Sequence, residues 1–233
     1  MAEWRPRGAP CVRPAGRPGY LGVPLAPPMH HVPNTLTAGR IVAAPVALYL
    51  LWTGTPWGQT AGTALFIAAA ITDYLDGHLA RTYNVTSRLG QFLDPLADKV
   101  LVLGGFLLVP FLSPVGEGLA APAGTWLPWA AIAAVALRDA AVTALRASYE
   151  RRGVSLATSS AAKWKTTFQL TFLIATFVFL SGTHLRGLGG APGALGRGLA
   201  SILLSPAPLA LLLATAAVTV WTGVLYFRAG QPS

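Results

Sequence analysis

The chain has 233 residues, 53% of them hydrophobic and 11% charged, with a mean hydropathy of +0.54 and a formal net charge of +9. A soluble domain carries about 25% charged residues, so this composition excludes an ordinary soluble enzyme and indicates an integral membrane protein. The basic residues alternate with apolar spans instead of forming a block. That speaks against nucleic acid and for topology and anionic lipid headgroups, while a lone Cys11 excludes an internal disulfide.

Residues 1–31 are rich in Pro, Arg and Gly, and no apolar stretch that would serve as a signal peptide precedes Leu36. They are expected to form a flexible, basic cytoplasmic tail. Apolar periodic segments then predict helices near Leu36–Trp52, Gly62–Arg81, Gly90–Phe111, Thr125–Tyr149, Lys163–Leu180 and Ser205–Phe227. Several approach the roughly 20 residues that span the hydrocarbon. The expected fold is an all-α membrane protein with a six-helix domain over 32–229 and a short C-terminal tail, 230–233. Gly and Pro punctuate the connections at Gly54-Thr55-Pro56, Ser113-Pro114 and Gly189-Gly190-Ala191-Pro192.

Lys and Arg set the orientation. The tail holds Arg5, Arg7, Arg13 and Arg17; the second connection holds Arg81 and Arg88; the fourth holds Arg146, Arg151, Arg152 and Lys163. The first and third connections hold none, and the fifth is a mild exception with Arg186 and Arg197. The positive-inside rule therefore places both termini in the cytoplasm. Trp52, Trp57, Trp126, Trp129 and Trp164 fall near predicted helix ends, as an interfacial aromatic belt requires.

Against this apolar background, four of the five aspartates lie between positions 73 and 98. They read Asp73-x-x-Asp76-Gly77-x-x-Ala80-Arg81, eight residues, then Gly90-x-x-x-Asp94-x-x-x-Asp98. Asp73 and Asp76 are i, i+3 on one helix face, and Asp94 and Asp98 are i, i+4 on the next helix. A carboxylate at mid-membrane costs roughly 2.5 kcal/mol or more, so a cluster calls for a compensating charge. Hard oxygen ligands at this density suit Mg²⁺ or Mn²⁺, with room for two ions. Gly77, Ala80 and Gly90 remove bulk beside the carboxylates; each alone fits close helix packing, and together they fit a nucleotide cleft. Pro95 either kinks the third helix or sits in its first turn.

At every fixed position this string resembles the signature of the CDP-alcohol phosphotransferase family. The resemblance implies a six-helix membrane enzyme, commonly a homodimer, that transfers a substituted phosphate from a CDP-linked donor to an alcohol and releases CMP. It implies that Asp73, Asp76, Asp94 and Asp98 hold the metal ions and that Asp98 is the general base. It also implies a nucleotide site lined by Asn34, Thr37, Asp73, Gly77, Ala80, Arg81 and Gly90. Asn34 equally fits a helix N-cap, and Thr37 a packing residue. Charge and proton bookkeeping agree: an alcohol needs a carboxylate to take its proton, and metal ions neutralise the departing CMP.

Three further stretches resemble the phosphatidylglycerophosphate-forming branch: Pro33-Asn34-Thr35-Leu36-Thr37-Ala38-Gly39-Arg40, Phe92–Lys99, and Arg138-Asp139 with Arg146 followed by Lys163-Trp164-Lys165-Thr166-Thr167-Phe168-Gln169. Asp139 and Ala162 depart from that branch, which usually has Glu and Gly there. The resemblance implies CDP-diacylglycerol and glycerol 3-phosphate as substrates, and the positive-inside orientation puts the aspartate motif at the cytoplasmic ends of the second and third helices, with the active site expected on the cytoplasmic face of the plasma membrane. A phosphorylated acceptor needs fixed cations, and Arg40, Arg138, Arg146, Lys163 and Lys165 are the candidates. Arg138, deep in an apolar helix, demands an anionic partner, either a ligand or an aspartate such as Asp139. Arg40 fits a phosphate contact and an interface anchor equally, whereas Arg151 and Arg152 fit topology alone. His30 and His31 read as surface residues, and His78 has no assigned role. The alternatives are another acceptor (inositol phosphate, or phosphatidylglycerol giving cardiolipin), a divalent-cation channel lined by the aspartates, and an inactive scaffold. The channel does not explain the spacing of Gly77, Ala80, Arg81 and Gly90, and no missing motif position supports the scaffold.

Overall fold

The computed structural model describes residues 32–83, 99–120, 124–151 and 160–229, and every regular element among them is helical. The chain runs through α1 (Val32–Trp52), α2 (Pro56–Tyr83), α3 over 99–108 with a 3-10 turn at Val109–Phe111, and the short α4 (Val115–Ala120). It continues through α5 (Trp126–Arg151), α6 (Ser160–Gly182) with a 3-10 turn at Thr183–Gly187, α7 (Gly190–Leu204) and α8 (Ala207–Ala229). The expected tails at 1–31 and 230–233 lie outside the described residues.

A tight hairpin opens the bundle. Gly54 takes φ +67°, a conformation that other residues adopt only with strain. The Thr55 hydroxyl then accepts the Gly58 N–H at 3.1 Å, with Pro56 in the first helical position, so α2 starts on a capped end. Gly62 brings the two backbones together: a Cβ there would sit 2.9 Å from the Ala47 carbonyl oxygen and from Leu51 Cγ. Between apolar helices such close approach is the principal packing force, since lipid tails are as apolar as the helices themselves.

The core lies where α2, α3 and α6 meet. Phe66 and Phe177 pack edge to face at 5.0 Å, and Phe106 stacks on Phe172 at 5.5 Å; all four side chains are fully buried. α6 is central, with α2, α7 and α8 packed against it, and α5 lies along α8. Three stretches, Trp126–Tyr149, Lys165–Gly187 and Ala207–Leu225, are long and apolar enough to cross a membrane, and shorter apolar helices cover Gly39–Trp52 and Lys99–Phe111.

Three expectations need correction. The connection between the fifth and sixth predicted helices contains α7: Gly189 and Gly190 mark the turn before it as expected, with Gly190 at φ +66°, but the helix that follows was not expected, and its glycines serve packing. Gly193 and Gly196 are buried, and a Cβ at Gly196 would meet the backbone of Arg186 at 2.4 Å. α2 begins six residues before the expected Gly62, because the Thr55 cap and Pro56 fix its start. α1 begins at Val32, so Asn34 stands inside the helix and is not its N-cap.

Candidate active site

Helix register places the signature. Gly62 faces Ala47 and Leu51 across the α1–α2 hairpin. Counting eleven residues on along α2 and eleven back along α1 brings Asp73 level with residues 36–40, which include Thr37 and Arg40. By the same count Asn34 is level with Asp76 and Gly77. α6 runs antiparallel on another side of α2, where the Thr63 hydroxyl contacts Ser181 at 2.8 Å and donates to the Phe177 carbonyl at 3.2 Å. Ten residues further along α2, Asp73 is level with residues 167–171 of α6, and Lys165 is level with Asp76 and Gly77. One end of the bundle thus gathers the stretch Asn34–Arg40, the stretch Asp73–Arg81 and the start of α6.

Asp73 and Asp76 lie on an unbroken helix, so their i, i+3 spacing holds both on one face. Only the backbone is described for Asn34, Thr37, Asp73, Asp76, Gly77, Ala80, Arg81, Arg146 and Lys163. Gly90, Asp94 and Asp98 lie outside the described residues. No group of three or more metal-ligating side chains occurs among the residues described. The donor set at this end is nevertheless the kind a hard divalent ion takes: two carboxylates one turn apart, with Asp94 and Asp98 following in sequence.

At the same level a charged cluster joins α5, α6 and α8. Asp139 is buried and takes one cation on each oxygen: Arg138 Nη1 donates to Oδ1 at 3.2 Å, and Lys165 Nζ donates to Oδ2 at 2.7 Å. The three side chains keep only 10–15% of their exposure. The other end of the guanidinium donates to the Thr222 hydroxyl at 3.2 Å, and Thr222 donates to the Thr219 carbonyl at 2.9 Å. Gln169, fully buried, donates to the Thr219 hydroxyl at 3.4 Å. Of the predicted acceptor residues, Arg138 and Lys165 therefore meet, and the acidic partner that a buried Arg138 demands is Asp139. Arg40 is buried in α1, at the level of Asp73, not spread on the surface as an interface anchor would be.

Sequence reading missed the contribution of α8. Thr215, Thr219 and Thr222 recur at helical spacing on an otherwise apolar helix, and all three are buried. A cap or turn role does not explain threonines there, so their period marked a polar seam.

Residues 30–227 match the CDP-alcohol phosphatidyltransferase family, and the chain belongs to it. With three apolar helices long enough to cross a bilayer, it is an integral membrane protein. It is 32% identical over 201 residues to "CDP-diacylglycerol--glycerol-3-phosphate 3-phosphatidyltransferase 2" of Arabidopsis thaliana, covering 84% of this chain and 78% of that one. A Rickettsia bellii protein carrying the same enzyme name is 32% identical over 199 residues, covering 85% of this chain and 94% of its own. A rice protein named "Cardiolipin synthase (CMP-forming)" is 32% identical over 213 residues, with 89% of this chain but 60% of the rice chain covered.

Proposed function

We propose that the protein joins CDP-diacylglycerol to glycerol 3-phosphate, giving phosphatidylglycerophosphate and CMP. The observation that supports this reading is the pairing, at one end of the bundle, of the aspartate signature with a buried Arg138–Asp139–Lys165 cluster, net positive among the described residues. Glycerol 3-phosphate brings a phosphate that is not consumed, and such a group needs cations apart from those that bind the donor.

The acceptor hydroxyl attacks the phosphorus that carries diacylglycerol. A new P–O bond forms as the bond to CMP breaks, and the Asp98 carboxylate takes the hydroxyl proton. Asn34, Thr37, Gly77, Ala80, Arg81 and Gly90 line the cytidine nucleotide; Arg40, Arg138, Arg146, Lys163 and Lys165 draw in the acceptor phosphate. Asp73, Asp76, Asp94 and Asp98 would hold Mg²⁺ or Mn²⁺, two ions in this reading, which neutralise charge on the pyrophosphate when bound. Members of this family generally depend on divalent metal. The fold is read as six spans with both termini and the active site on the cytoplasmic face of the plasma membrane, in a homodimer.

The test is CMP release by purified protein with CDP-diacylglycerol and Mg²⁺, offering glycerol 3-phosphate, inositol phosphate, phosphatidylglycerol or no acceptor. Release driven by glycerol 3-phosphate, lost with chelator and restored by Mg²⁺, is the expected result. Release driven by phosphatidylglycerol would favour the cardiolipin-forming reaction named for the rice relative.

A further inference from the structure

The charged cluster holds more than a list of cations. Arg138 and Lys165 contribute two positive charges and Asp139 one negative charge, so among the described residues the cluster sums to one positive charge at 10–15% exposure. Asp139 gives one oxygen to each cation, which fixes the two donors relative to one another. Arg138 Nε is buried with no hydrogen-bond partner among the described residues. A buried N–H left unpaired is costly unless something else accepts it.

The floor of the cluster comes from α8. A Cβ at Gly223 would stand 2.8 Å from Arg138 Cγ and 3.0 Å from Nε, so only glycine there leaves room for the side chain as it lies. The next residue back, Thr222, holds the far end of the guanidinium. Glycine inside an apolar helix lowers its stability, and here the space it leaves is filled by a cation.

We infer that Asp139 and Gly223 are positioning residues for the acceptor. Asp139 splays Arg138 and Lys165 across its two oxygens, and Gly223 lets α8 seat Arg138 against Thr222, so that unused N–H donors of both cations face an incoming phosphate together. The inference rests on the reading of the reaction given above and deepens it. It assigns acceptor affinity to a carboxylate that cannot itself touch a phosphate favourably, and to a helix outside the signature.

Steady-state CMP release separates the possibilities. Glycerol 3-phosphate is varied at fixed CDP-diacylglycerol, and the reverse, for the full-length wild type, Asp139→Asn, Asp139→Glu and Gly223→Ala. An Asn amide turns a donor toward one of the cations, which have no acceptor for it. The KM for glycerol 3-phosphate should rise about 10- to 100-fold in Asp139→Asn, the worth of one or two charged hydrogen bonds. Its KM for CDP-diacylglycerol and its kcat at saturating acceptor should stay within about threefold. Asp139→Glu keeps both oxygens and should recover most of the affinity. Gly223→Ala should raise the acceptor KM about 3- to 10-fold, although alanine favours the helix itself. An unchanged acceptor KM in either folded variant overturns the proposal, and so does an equal loss for both substrates, which marks a merely structural role. If Asp139→Asn does not fold, Gly223→Ala decides alone. A wild type that turns over without any dependence on glycerol 3-phosphate overturns the underlying reaction and the proposal with it.

Discussion

The two ends of the helix bundle both bury polar side chains, and they do so with different chemistry. At the start of α2 and the end of α6, every buried partner is neutral or locally satisfied. The Gln59 amide oxygen accepts from His184 Nε2 at 2.6 Å, and the Ser181 hydroxyl lies within hydrogen-bond distance of the Gln59 and Phe177 backbone carbonyls. Thr63 closes the set. At the other end, Arg138, Asp139 and Lys165 sum to one positive charge among the described residues, at the level of the aspartate signature. A neutral network that satisfies itself pins helices together and asks for nothing more. A buried cluster with residual charge is costly, and it persists at a site that receives an opposite charge.

The contrast predicts that damage at the signature end appears in catalysis and damage at the neutral end appears in stability. The largest effect belongs to Asp98→Asn. Removing the general base should lower kcat by about 10²- to 10⁴-fold, while the purified protein keeps its melting temperature and binds CDP-diacylglycerol. Near-normal turnover in that variant removes Asp98 from the role of base. Next comes Lys165→Ala, which leaves Arg138 and Asp139 as a neutral pair. The KM for glycerol 3-phosphate should rise about 10- to 100-fold with little change for the lipid donor. An equal change for both substrates would mean that the cluster is only a strut, and the two ends would no longer differ in kind.

Much of this was legible in the sequence, for reasons that explain what was not. The signature and the Arg138–Gln169 stretch use charged residues in an apolar chain, where each charge is expensive and therefore conspicuous. The register that brings Arg40 level with Asp73 follows from a short hairpin marked by Gly54, Thr55 and Pro56. Two features escaped. α7 was hidden because it follows directly on the turn residues Gly189 and Gly190 and is itself rich in glycine, whereas what Gly193 and Gly196 do depends on how closely Leu188 and the 3-10 turn at Arg186 approach them. Thr219 and Thr222 were hidden because threonine is unremarkable in a membrane helix until its partners, Gln169 and Arg138, are known. The threonine period marks a polar seam on α8, but which residues face it is fixed by contacts with helices distant in sequence.

The smallest predicted effects lie at the neutral end, and they test the contrast from its other side. Thr63→Ala removes the hydroxyl that bridges Ser181 and the Phe177 carbonyl. Interhelical hydrogen bonds in membranes are worth about 0.6 kcal/mol on average and rarely exceed about 1.7, so the variant should lose about 1 kcal/mol in a reversible denaturation in detergent. Thr55→Ala removes the cap on α2 at a similar cost of about 1 kcal/mol or less. Both should keep wild-type KM values for both substrates below their melting temperatures, because α2 runs as one unbroken helix from this end to Asp73 and Asp76 and is held along its length by its neighbours. If Thr63→Ala raised the KM for CDP-diacylglycerol while the protein stayed folded, the neutral network would be setting the position of α2 along α6, and with it the height of Asp73 and Asp76. The two ends would then be one device, coupled through the length of a single helix, and the division between pinning and catalysis would fail.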